Sequence, residues 1–202
     1  MGVLRTTILS GGLLLVLCGT AAADSDWQNV SLDNDPDFTI DVPAVVGKDY
    51  LPKADLRADG LLMGYLVTSD HWGDAWCGVE RMKYSDLKVT RAQMIEKLNA
   101  GLGRVLCGGD EKSTNVTDIE STSLTSNGFV ASRCTSSYTE TGDEKPGKVF
   151  SMLAVAAPNN LYEVACTTTS DTQSDAEAAW TDQWSPDAAH VQQSLHLPKS
   201  EN

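Results

Sequence analysis

Apolar and polar residues change their period several times along this chain, and each change marks an element. Phe38, Ile40 and Val42 alternate with polar neighbours ahead of Pro43, which predicts a short strand with one wet face. Residues 27–37 before it are polar and acidic, and residues 48–60 after it carry Pro52, several charges and Gly60 and read as a loop. Residues 61–68 and 75–84 are rich in apolar, aromatic and β-branched side chains, so two strands are expected, joined by Ser69-Asp70-His71-Trp72-Gly73-Asp74. The period then becomes helical. Thr90 and Gln93 have the spacing of a capping box, and Met94, Ile95, Leu98, Leu102, Val105 and Leu106 follow at helical intervals up to a Cys107-Gly108-Gly109 stop. Gly101 and Gly103 each cost such a helix about 1 kcal/mol relative to Ala, so tertiary packing has to hold its second half.

From Val116 onward Thr, Ser and Val dominate, and Asn127-Gly128 stands between two strand-like runs as a hairpin signal. The returning strand is expected over residues 129–136 and an acidic loop over 138–147. Residues 149–156 and 161–168 then form a further pair about Pro158-Asn159-Asn160. Ser174 and Glu177 repeat the capping-box spacing, Trp180 and Trp184 fall one turn apart, and Ser185-Pro186 predicts a fresh cap for a last segment through Val191 and Leu195, ended by Pro198. The sum is a single α+β domain over residues 37–197, an antiparallel sheet of about six to seven strands packed by helices, with residues 198–202 as a tail.

The N-terminus has a different character. Arg5, the apolar run 8–17 and Thr20-Ala21-Ala22-Ala23 have the order of a secretory signal peptide, which predicts removal of residues 1–23 and leaves residues 24–36 as an acidic entry segment. A bilayer-spanning helix needs about 20 consecutive apolar residues, and Ser10-Gly11-Gly12 and Gly19-Thr20 break the run. A lipoprotein signal would retain Cys18 as an acylated first residue, but Leu17 stands where a small residue is wanted. Cleavage discards Cys18 and leaves Cys77, Cys107, Cys134 and Cys166, an even set without a Cys-x-x-Cys pair, so two structural disulfides are expected in an oxidising compartment. Three connectivities are open; the local pairing of Cys77 with Cys107 is the one favoured.

Charge narrows the partners. Against 28 acidic residues the chain carries 15 basic ones, a formal net charge of −13, and neither nucleic acid nor an anionic membrane surface is bound without Lys or Arg clusters.

The order of elements resembles the PsbP-like α/β/α sandwich, a family that includes the photosystem II extrinsic protein and periplasmic DcrB-type proteins. The likeness rests on Phe38-Thr39-Ile40-Asp41-Val42-Pro43, on Leu161-Tyr162-Glu163-Val164-Ala165-Cys166, and on the closing Val191-Gln192-Gln193-Ser194-Leu195-His196-Leu197. The four cysteines depart from the usual pattern of that family, as does Val45-Val46 after the first proline. The resemblance implies a binding or accessory module with no common catalytic residue.

Motifs for catalysis or cofactors fail on their own terms. Asp33-Asn34-Asp35-Pro36-Asp37 starts like a calcium loop, yet Phe38 and Ala44 stand where Gly and Glu are required. Ser85-Asp86-Leu87-Lys88 lacks its companion motifs, and Gly101-Leu102-Gly103 follows a helix where a dinucleotide fold wants a strand. No metal, cofactor or catalytic residue is assigned. The one chemical concentration is Asp70, His71, Trp72, Asp74 and Trp76, a strand connection that can form a recognition surface. His190 and His196 read as surface or capping residues of the last helix. The function expected is an exported, non-catalytic binding or accessory protein of the bacterial envelope, periplasmic or secreted, whose partner is another envelope protein or a small ligand. A hydrolase-like enzyme and a structural component acting by oligomerisation are the alternatives.

Overall fold

The computed structural model describes residues 27–32, 35–43, 64–67, 75–101, 107, 113–142 and 145–197. β1 (Trp27–Leu32) and β2 (Asp35–Pro43) form a two-stranded antiparallel ribbon. Six further strands, β3 (Gly64–Val67), β4 (Ala75–Lys83), β5 (Ser113–Ser126), β6 (Phe129–Glu140), β7 (Gly147–Ala156) and β8 (Asn160–Ser170), build one antiparallel sheet in the order β3-β4-β8-β7-β6-β5. α1 (Arg91–Asn99) follows β4, and α2 (Gln173–Ala179), a π-helical turn (Trp180–Trp184) and α3 (Ser185–Ser194) follow β8.

The sheet's centre is apolar on both sides, so both sides must be covered. Val149, Leu153 and Val155 of β7 and Val164 of β8 pack with Ala176, Trp180, Ala188, Val191, Leu195 and Leu197 from the C-terminal helices. The alternate residues Ala154, Ala156 and Leu161 join Met82, Met94 and Leu98, so α1 belongs to a separate core cluster. The ribbon adds Phe38 and Ile40 to the first cluster, Phe38 meeting Tyr162 edge-on at 4.9 Å. Tyr84 closes the second: its hydroxyl donates to the Ala157 carbonyl at 2.7 Å, and burial, partly offset by Arg91, pushes its pKa up to about 12.

Local signals in the sequence are largely obeyed. Thr90 caps α1 with both halves of the capping box formed, and Asn127 and Gly128, at φ 53° and 81°, make the tight turn between β5 and β6. The exceptions have physical causes. α1 ends at Asn99, and Gly101 turns to φ 91°, while residues 102–106 of the expected helix and its stop at 108–109 lie outside the described residues. β6 runs to Glu140, through residues expected to be loop, because Tyr138 and Thr139 pair with Lys148 and Gly147 of β7. Residues 27–32, read as a polar run, form β1, since a ribbon strand needs little apolar surface of its own. The helical cap falls on Thr172, which accepts from the Asp175 amide, and Glu177 of the expected box instead takes a hydrogen bond from Ser137. Ser185 caps nothing, for the π turn enters α3 directly with Pro186 in its first turn.

The disulfides are Cys77–Cys166 and Cys107–Cys134, not the local Cys77–Cys107 pairing. Register explains the first: Cys77 and Cys166 stand directly opposite on β4 and β8, with Cα atoms 4.0 Å apart. In the chain-entropy account, closing loops of this size is worth about 3–5 kcal/mol each.

Gly147 marks where α2 presses on the sheet. A Cβ at that position would run into the peptide joining Thr172 and Gln173, so the start of α2 is seated directly on β7. Gly147→Ala is expected to destabilise the fold by about 2–3 kcal/mol, read as a lower midpoint in urea with an unchanged m-value.

Candidate functional site

Of the five residues singled out in the 70–76 connection, Asp70, His71, Trp72 and Asp74 lie outside the described residues. Trp76 is described: it is a partly exposed residue of β4. It lines a crevice with Ala75, Cys77, Cys166, Trp180 and Trp184, beside the β4–β8 disulfide. Trp76 is the second residue of β4 and so stands at that strand's start, and the π turn brings Trp180 and Trp184 beside it; π turns of this kind recur at functional positions. Its volume of about 10 Å³ holds at most one water. A larger groove of about 400 Å³ lies against α1 between Lys88, Val89, Gln93, Glu96 and Lys97, open and mixed in charge.

The sheet itself brings two carboxylates together. Glu80 of β4 and Glu163 of β8 are direct cross-strand partners, and Ala154 of β7 stands on the other side of Glu163. Burial, reinforced by the neighbouring Glu80, raises the Glu163 pKa from 4.5 to about 7. Such a pair can hold a proton near neutrality, the arrangement from which general acid–base chemistry is built. Sequence reading missed it because each Glu sits in an ordinary strand, and only the register opposes them.

A second cluster ties the ribbon to α3. The Asp41 carboxylate meets His190 Nε2 at 2.9 Å and accepts from the Asn29 side-chain amide at 2.9 Å, while Trp27 stacks on the imidazole with ring centroids 4.1 Å apart. Ser194, one turn after His190, accepts the Asp41 backbone N–H and donates to the Val191 carbonyl. Asp, His and Ser are thus all present, but the serine proton points to a carbonyl and not to the imidazole, so no activated nucleophile results. His190 is a fastener of the ribbon where the sequence suggested a surface or capping residue. His196 pairs through its backbone with Thr39 of β2, extending the same attachment.

The remaining polar groups beneath α2 and α3 hold layers together. Gln192, buried, donates to Ser151, which also accepts from Thr135. Gln173 bridges to Ser137 and to the Asn115 carbonyl. Among the described residues no group of three or more His, Cys, Asp or Glu comes within metal-holding range, and no helix is long and apolar enough to cross a membrane.

No known family model and no curated protein matches the sequence. Among solved structures the chain is similar to a cyanobacterial PsbP, CyanoP, from Synechocystis sp. PCC 6803, with 16% identity, 91% of this chain and 99% of that chain covered, and a TM-score of 0.47. It is similar also to PA94 from Pseudomonas aeruginosa, at 11% identity over 87% of this chain and 100% of that one, TM-score 0.40. A third is LpqN, involved in cell envelope biogenesis of Mycobacterium tuberculosis, at 15% identity over 85% and 89%, TM-score 0.40. One of the three is a PsbP protein, from the family whose resemblance was read from the sequence.

The Glu163 shift fixes a sign. Its folded pKa lies above the unfolded one, so the fold holds the proton more tightly and loses stability as pH climbs from 4.5 through about 7. Glu163→Gln should therefore be more stable than the native chain at pH 8, by about 1–3 kcal/mol, and indistinguishable from it below pH 4.5. Urea denaturation across that range measures the difference.

Proposed function

We propose that the chain is an exported, non-catalytic accessory protein of the bacterial cell envelope, built as an α/β/α sandwich, which binds another envelope protein or a small ligand at the 70–76 end of the sheet. One observation carries the reading. All four cysteines downstream of the leader-like segment are paired, one pair inside each of two separate core clusters, and buried disulfides of this kind belong to oxidising compartments. Removal of residues 1–23 fits that route, with retention through an acylated Cys18 as the less favoured form. The clustered polar side chains support a non-catalytic role, since Asp41, His190, Ser194, Gln173 and Gln192 are each engaged in joining one element to another. For recognition, Asp70, His71, Trp72 and Asp74 lead directly into Ala75 and Trp76, beside the crevice lined by Trp180 and Trp184.

A hydrolase-like enzyme is the second reading, and the opposed Glu80 and Glu163 are what favours it. It would require substrate to reach a carboxyl held between β4 and β7.

Two measurements test the proposal. Alkylation of the protein taken from the envelope fraction should leave Cys77, Cys107, Cys134 and Cys166 unlabelled until a reductant is added. Mild crosslinking in the envelope followed by capture should give a partner band that a His71→Ala, Trp72→Ala double variant loses while keeping its melting temperature. Cytoplasmic protein with free thiols would overturn export, and an unchanged band would overturn the loop as the binding site.

A further inference from the structure

Among the described residues β5 ends the sheet and pairs on one side with β6. After the bulge between Asp118 and Glu120, its residues 120–126 run in unbroken register with β6, from Glu120 opposite Thr135 to Ser126 opposite Phe129. A strand in that position carries a row of backbone N–H and C=O groups facing outward, and proteins ordinarily guard such a row with Lys, Pro or an inward-pointing charge. The stretch Glu120-Ser121-Thr122-Ser123-Leu124-Thr125-Ser126 has neither Lys nor Pro. Its one charge is turned back on the same sheet, Glu120 meeting Arg133 at 2.7 Å. Most of the strand is exposed, and the large hydrophobics Val116 and Ile119, 41% and 49% exposed, lie on it just before the regular stretch.

We infer that β5 is a self-association edge: two copies of the chain pair antiparallel through residues 120–126 about a two-fold axis at Ser123. The axis follows from the bulge, because only with Ser123 at the centre does the whole regular stretch overlap its copy. In that register Glu120 faces the partner's Ser126, Ser121 the partner's Thr125, Thr122 the partner's Leu124, and Ser123 itself. Hydroxyl pairs of this kind suit neighbouring strands, and like charges are nowhere opposed. A foreign basic strand is the other possible occupant, but the carboxylate that would attract it is already neutralised by Arg133. The inference is independent of where the protein resides.

Seven paired residues span about 24 Å, less contact than a permanent dimer uses, so the association is reversible and seen at high micromolar concentration. Charge sets its salt dependence. Each copy carries a formal −13, felt across about 30 Å at 0.01 M salt and about 8 Å at 0.15 M, so pairing strengthens as salt is added. Capture of a basic strand would weaken instead.

Sedimentation velocity of the oxidised protein at 10–500 µM, about the range in which a reversible interface of this size is seen, should show a monomer–dimer equilibrium that tightens between those two salt concentrations. Ser123→Lys and Ser123→Glu, both at an exposed position, should each weaken it about tenfold or more by opposing like charges at the axis. An equimolar mixture of the two should restore it. Native protein that stays monomeric in 0.15 M salt overturns the inference, and so does a dimer that neither variant affects. A monomer that binds a Lys-Thr alternating peptide, with affinity falling as salt rises, would give the edge to a foreign strand and equally overturn it.

Discussion

β7 and β8 are buried on both of their faces, and the rest of the molecule is arranged to satisfy that condition. A strand with one apolar face needs one covering layer. Val149, Leu153 and Val155 alternate with Met152, Ala154 and Ala156, so the two faces of this hairpin supply separate cores, one cluster on the first face and two on the second. α2, the π turn and α3 contribute to the first, α1 to the second. The small residues of the α1 core let Met94 and Leu98 come close to the strands, and Gly147 does the same for the start of α2. Large side chains at those positions would hold the layers apart.

Polar groups within these layers carry specificity more than strength. Ser151 lies in the middle of β7 and receives hydrogen bonds from both Thr135 and Gln192, which fixes α3 along the sheet as apolar contact alone does not. The ribbon is held similarly. Phe38 and Ile40 supply the buried area, while Asp41 with His190 and the paired backbones of Thr39 and His196 set its position against the end of α3. Glu163, opposite Glu80, runs against this pattern, because its burial costs stability at neutral pH, and it is therefore the part of the sheet least explained by packing.

What could be read from the sequence was what depends on near neighbours in the chain. Thr90 with Gln93, and Asn127 with Gly128, state their structure within four residues, and residues 149–156 and 161–168 read as a strand pair about the turn at Pro158-Asn159-Asn160. Thr172 and Ser174 were not separable in that way, because both have a polar residue three positions on. The choice is made by the seat of α2 on Gly147, which no local pattern contains. The disulfide map, the attachment of His190 to Asp41 and the opposition of Glu80 to Glu163 are likewise products of register between distant strands. Of the residues singled out in the 70–76 connection, Trp76 lies beside Trp180 and Trp184, while the others stand outside the described residues.

The two bridges are nested, the Cys107–Cys134 ring lying wholly inside the ring closed by Cys77 and Cys166. β4 and β8 are partners far apart along the chain, yet oxidation keeps their cysteines adjacent even when everything else is undone. A chain unfolded by heat or urea without reductant thus retains the one long-distance neighbour relation that is hardest to find by diffusion. Its return to order is reduced to closing shorter segments around a junction that was never lost.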